Sequence, residues 1–236
     1  MTGLTASLAR FVASAADMAI PEEAARIVKT GFVDTIASML AGRNEEVVRI
    51  LERLYPGGDE AAVLLGRGQA SARNAALING TAGHALDFDD VALLGHPSTV
   101  LVPVALAEAE RLGRSGADAL RAYLVGYEVW AELAGREADP VHDKGWHPTG
   151  VFGAVAAAAT AATLNRSSEL IARNALGLGA SLGSGLVANF GTMAKPFHAG
   201  NAAAHGIDAV RMAMAGMTAS ADVLEHPAGF LAAISP

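Results

Sequence analysis

The chain has 236 residues, 52% hydrophobic and 17% charged, with no Cys and a formal net charge of -7. Those values exclude a disordered chain, a disulfide scaffold and the basic stripe that a nucleic-acid binder needs. Alanine supplies 52 residues while aromatics make up only 5%, so the apolar content is mostly small side chains, which favour closely packed helices over a β-sandwich.

In chain order, Thr5 or Ser7 opens a first helix that ends before Ile20-Pro21. Pro21, followed by Glu22 and Glu23 at the positive end of a helix dipole, opens a second that runs to about Gly42. A third starts at Asn44 and ends near Tyr55-Pro56-Gly57-Gly58, and residues 61–65 read as a short extended piece. From Ser71 a helical segment contains Gly80 and Gly83, each disfavouring a helix interior by about 1 kcal/mol relative to Ala. Two such glycines predict a second helix packed very close. Further helices are expected from Pro97 to about Gly113, from Ser115 to Gly135, over 149–164, 167–190 and 200–217, and from Ser220 towards Phe230. The sum is an all-α domain of about ten helices over 1–236, with no internal repeat or linker. The run 151–164 is too short and too weakly apolar to span a bilayer and predicts a buried helix. No secretory signal is read at the N-terminus, which predicts a cytoplasmic protein.

The chain has only three Lys. Two of them, Lys144 and Lys195, fall in Gly/Pro-containing segments with His142, His147 and His198, and a third such segment holds His96. Either these are scattered solvated loop residues, or they gather into a local site for a small anion without the long-range field that a polymer needs. The Gly-rich run GLGASLGSG, residues 177–185, has no strand before it and predicts helix packing, not a dinucleotide loop.

The segment HALDFDD places His84, Asp87 and Asp90 at i, i+3 and i+6, near one face of a helix. Carboxylates crowded in this way are expected to raise one another's pKa, which suits proton transfer. A divalent-cation site and a solvated helix end are the other readings. His96-Pro97 and His147-Pro148 each put an imidazole just before an expected helix start, where backbone N–H groups attract carboxylates. In GTMAKPFHAG, Pro196 is expected to hold Lys195 extended.

NGTAGHALDFDD, GHPS, KGWHPTGVFG and MAKPFHAGNAAAHG, in this order and spacing, together with the end DVLEHPAGFLAAIS, resemble the MmgE/PrpD family. Its members include 2-methylcitrate dehydratases, cis-aconitate decarboxylases and iminodisuccinate epimerases. The resemblance implies a helical domain, usually accompanied by a smaller lid domain that is absent from this chain, a homodimer, a site between the two domains, and no organic cofactor or metal. Residue by residue it implies Asp87, His96, His147 and Lys195 as catalytic groups; Lys195, His198 and Ser98 are the residues expected to bind the substrate. That substrate would be a small di- or tricarboxylate with an acidic C–H beside a carboxylate, and the reaction a lyase step such as 2-methylcitrate dehydration, or a related epimerisation or decarboxylation. Since members continue through the lid, this chain is expected to carry only part of the site, with a separate lid segment as one possible partner. Two rival readings rest on other features: a terpene-cyclase-like protonating motif in Asp87-Phe-Asp89-Asp90, against which the scarcity of aromatics speaks, and a non-catalytic helical subunit that dimerises through its Ala/Gly-rich faces.

Overall fold

The computed structural model describes residues 3–55, 57–64 and 66–235. Among them the chain forms α1 (Leu4–Ser14), α2 (Glu22–Gly42), α3 (Glu46–Leu54), the antiparallel ribbon β1 (Ala61–Val63) and β2 (Gly68–Ala70), and α4 (Ala72–His84). It continues through α5 (Pro97–Leu112), α6 (Gly116–Ala134), α7 (Pro148–Leu164), α8 (Glu169–Leu182), α9 (Ala194–Met214) and α10 (Phe230–Ile234). The all-α class is therefore as expected. Pro56 and Leu65, at the ends of the predicted third helix and extended piece, and Pro236 lie outside the described residues.

The core is built around α7, every residue of which is buried. It packs against α5, α6, α8 and α9, so its run of Ala, Val and Thr meets protein on all sides. Among the described residues no helix is long and apolar enough to cross a membrane. The small side chains matter most where α4 crosses α9. A Cβ added to Gly80 would sit 2.9 Å from the Gly200 Cα, and one added to Gly200 would collide with the Leu77 carbonyl oxygen. The helix predicted to lie close to Gly80 is thus α9, and this crossing brings the C-terminus of α4 against the first turns of α9.

Prolines set the starts of two helices. His96 and His147 are the N-caps of α5 and α7, with Pro97 and Pro148 at the first helical position, where the missing N–H is not needed. Three predicted boundaries move. Helix α8 ends at Leu182, not near residue 190, because Gly183 leaves the helix and Gly185 takes φ +127. Helix α9 begins at Ala194, so Lys195 is helical, not extended; Pro196 lies in the first turn, where an N–H has no intrahelical partner. The segment from Ser220 to Gly229 turns where a helix was expected, leaving only the short α10.

Candidate active site

The N-termini of α5, α7 and α9 meet the C-terminus of α4 at one end of the bundle. His84, the last residue of α4, is 1% exposed. Beyond it the helix stops and Asp87 takes a left-handed φ of 55°. His84, Asp87 and Asp90 therefore do not share a helical face; the loop sends its three carboxylates to different partners. Asp87 faces Lys195, whose Nζ donates to Oδ1 at 2.5 Å. Asp89, buried, accepts from His84 Nδ1 at 2.9 Å and lies 3.2 Å from His96 Nδ1. Asp90 accepts from the Ser98 backbone N–H at 3.3 Å and from its hydroxyl at 2.7 Å.

The expectation that the three carboxylates would raise one another holds only for Asp90. Burial pushes it up against the Ser98 hydrogen bonds, and the charge of Asp89 adds to burial. Burial also acts upwards on Asp89, but the hydrogen bonds and charges of His84 and His96 outweigh it and hold the carboxyl at about 2. Asp87 ends below its ordinary value in the same way: burial is outweighed by Lys195, then His84 and His96.

A second pair of imidazoles lies beside the first. His147 Nδ1 is 3.1 Å from His198 Nδ1, so one ring carries a proton there and the other accepts it. Phe190 meets the His147 ring edge-to-face at 4.8 Å, and the Lys195 Nζ lies 5.0 Å over the same phenyl ring. Burial, reinforced by the charges of His84, His198, Lys195 and His96, presses His147 down to about 2, and burial also lowers His198. Both remain neutral near pH 7. Gly185 fits over this pair because it carries no Cβ, which would sit 3.1 Å from the His198 ring. The pairs are continuous: ring centroids are 4.3 Å apart from His84 to His96 and 5.9 Å from His84 to His147.

Of the residues expected in a site, Asp87, His96, His147, Lys195 and His198 are brought together. Ser98 is fully buried, with its hydroxyl engaged by Asp90 and by Tyr123 Oη at 2.8 Å. Lys144 and His142 stay on an exposed loop, Lys144 at 3.6 Å from Asp139, so the cationic residues do not all converge. Sequence reasoning passed over Asp89 and Phe190 and did not carry His84 forward as a site residue. The DFDD motif did contain a signal for Asp89, but the conformation at Asp87 decides which carboxylate turns inward. A cleft of about 310 Å³ opens between these elements, lined by His84, Asp87, Thr192 and Lys195, with Glu45 and Glu46 beside them.

One oxygen or nitrogen from each of His84, Asp87, Asp89 and His96 falls within 4.8 Å of the others. The donor set nevertheless does not fit a resident metal ion. A cation would have to displace the Lys195 ammonium from Asp87 and break the His84–Asp89 hydrogen bond. The arrangement can instead bind an anion at Lys195 and the helix N-termini and move a proton at an imidazole.

The family model of the MmgE/PrpD N-terminal domain matches residues 6–236, and the chain belongs to that family. It is 37% identical to the cis-aconitate decarboxylase of Homo sapiens, over 86% of this chain and 44% of that protein. It is 38% identical to the cis-aconitate decarboxylase of Mus musculus over 66% of this chain and 33% of that protein, and 28% identical to the Aspergillus terreus protein of the same name over 97% and 49%. The chain thus spans less than half the length of these curated relatives.

Proposed function

We propose that this chain supplies the helical part of a lyase site that acts on a small di- or tricarboxylate by proton transfer beside a carboxylate. The observation that carries the reading is the meeting of Lys195 and Asp87, 108 residues apart, at 2.5 Å in a cleft with His84 in its wall and His96 and His147 beside it. Lys195 is the single ammonium there, and with three helix N-termini it offsets the charge of a bound carboxylate and of an enediolate-like intermediate. Asp87 holds the ammonium in place. His96 and His147 share the proton transfer and the hydrogen bonding to the substrate, with His198 behind His147.

Of the reactions open to this chemistry, decarboxylation of a cis-aconitate-like substrate is favoured by the relatives, all three of which carry that activity in their names. Dehydration of a 2-methylcitrate-like substrate is the second reading. Incubation with cis-aconitate, citrate, 2-methylcitrate and iminodisuccinate in D2O, followed by NMR, tests both: product or solvent deuterium in one of them is expected. Absence of exchange and product with all four, in this chain and in a longer form that contains it, would refute the lyase reading.

A further inference from the structure

Asp89 has no role in the reading above, yet it is the most deeply placed charge in the site. Its side chain is fully buried between two imidazoles: His84 Nδ1 is hydrogen-bonded to Oδ1 at 2.9 Å, and His96 Nδ1, which has no aligned hydrogen-bond partner, lies 3.2 Å from Oδ2, where a lone pair would be repelled by the carboxylate. An ionised carboxylate accepts hydrogen bonds and donates none. A nitrogen held against it therefore carries a proton, and in a neutral imidazole the lone pair is then left on the other nitrogen. On His84 that other nitrogen, Nε2, is buried without a partner, in a side chain that lines the cleft. On His96 it lies 3.8 Å from Asp87 Oδ1, beside the Lys195 ammonium.

We propose that Asp89 is the positioning residue of the site: one carboxylate that holds the Nδ1–H tautomer of both His84 and His96 and thereby leaves the lone pair on Nε2 of each, with Nε2 of His96 as the proton acceptor. This deepens the lyase reading and selects between its two histidines. His147 has no carboxylate behind it, whereas His96 does. In the proton-transfer step the substrate C–H bond breaks, its proton goes to Nε2 of His96, and its electron pair passes to the neighbouring carboxylate as an enediolate. The Nδ1–H of the new imidazolium stays 3.2 Å from the Asp89 carboxylate, which remains ionised and offsets the new charge. Return of that proton to the carbon gives exchange or epimerisation, and loss of the β-hydroxyl as water gives dehydration. In a decarboxylation the enediolate forms instead as the C–C bond to the departing carboxylate breaks and CO2 leaves, and an imidazolium of His96 protonated beforehand from solvent gives its proton to the carbon. Asp89 is held low enough by its two imidazoles to stay charged through this cycle.

The titratable groups around His96 are Asp87, Asp89 and Asp90 from the preceding loop, His84 from α4 and His147 at the N-cap of α7, with Lys195 of α9 held on Asp87. A pH profile alone would blend them, so the deciding readout is the tautomer itself. In the full chain labelled with 15N-histidine, long-range 1H–15N NMR spectra between pH 6 and 8 are expected to show His84 and His96 protonated at Nδ1. Finding either ring protonated at Nε2 in the unsubstituted chain overturns the proposal, and this needs neither a substituted chain nor turnover. In Asp89→Asn the amide can donate as well as accept. Both rings are then expected to populate the Nε2–H form, with an unchanged backbone amide spectrum and, in a form that turns over, a fall in kcat of about 10³-fold or more with a much smaller change in KM. Unchanged tautomers in Asp89→Asn refute the assignment. If the tautomers shift as expected but none of the four carboxylates reacts, the positioning role stands and the lyase reading falls.

Discussion

Two pairs of imidazoles share this site and are built in opposite ways. His84 and His96 flank a buried carboxylate, while His147 and His198 face one another with no anion between them. Burial disfavours the charged form of any imidazole, and only a close anion reverses that. The same residue type is thereby given two tasks. Beside Asp89 each ring has a fixed carboxylate within 3.2 Å of its Nδ1; beside Phe190 and Lys195, His147 is kept neutral, fit to donate or accept a hydrogen bond but not to hold a charge. The difference is set by one side chain, Asp89, and by the loop conformation that turns it inward.

The ammonium of Lys195 stands between the pairs, hydrogen-bonded to Asp87 and adding to the depression of His147. Removing it should have the largest effect. Lys195→Ala is expected to lower turnover by about 10³-fold or more, as loss of a charge aimed at the reacting anion does. It should also raise the titration midpoint of His147 in NMR spectra. Retained turnover, or a His147 midpoint that does not move, would break the contrast between the pairs. A smaller loss is expected within the neutral pair. His198→Ala leaves the buried Nδ1 of His147 without its partner, which should destabilise the chain by about 1–3 kcal/mol in urea unfolding. No change in stability would mean that the 3.1 Å contact is not a hydrogen bond.

The pairs also differ in how acid undoes them. His147 falls from the ordinary 6.5 to about 2 on folding, and His198 and His205 shift in the same direction. Below pH 6.5 the unfolded chain binds protons that the folded chain refuses, so the stability is fully present above 6.5 and declines as the pH falls below it. Asp89 is lowered from 3.8 to about 2; its contribution is complete above 3.8 and is lost only as the pH falls from there towards 2. Melting temperature against pH should therefore fall in two limbs. His147→Phe should flatten the upper limb, and Asp89→Asn the lower. A His147→Phe curve parallel to that of the parent between pH 6.5 and 4 would refute the neutral state assigned to that pair.

Much of this frame is legible in the sequence, and the reason is local. His96-Pro97 and His147-Pro148 mark helix starts because proline fits only the first turn, and Gly80 marks the α4–α9 crossing because only a glycine tolerates so near a backbone. What escapes is decided by contacts distant in the chain. Proline can also sit in the third helical position, so Lys195-Pro196 did not betray that α9 begins at Ala194. The strand β2 (Gly68–Ala70) has no alternating pattern of its own and exists through its pairing with β1. The choice among Asp87, Asp89 and Asp90 depends on a left-handed residue at 87 and on His96, which returns to the site only after a tight turn.

That turn offers the smallest and most local test. Ala92 and Gly95 exchange both backbone hydrogen bonds at 3.0 Å across Leu93 and Leu94, whose φ values are 48° and 69°. Two consecutive left-handed residues closed in this way form a type I′ turn, which prefers Asn-Gly and in which a leucine is strained. The strain is held by tertiary contacts: the Trp130 indole N–H donates to the Leu93 carbonyl at 3.0 Å, and a Cβ added to Gly95 would sit 2.9 Å from the Trp130 ring. Leu94 is 58% exposed, so replacing it forfeits little burial. The double change Leu93→Asn, Leu94→Gly should therefore stabilise the chain by about 1 kcal/mol, or about 2–4 °C in melting temperature for a chain of this size. If the turn serves only to deliver His96 to Asp89, the 15N signals of His84 and His96 will keep their tautomers and those of His147 and His198 will not move. A shift confined to the first pair would instead show that the strained turn itself presses His96 against the carboxylate.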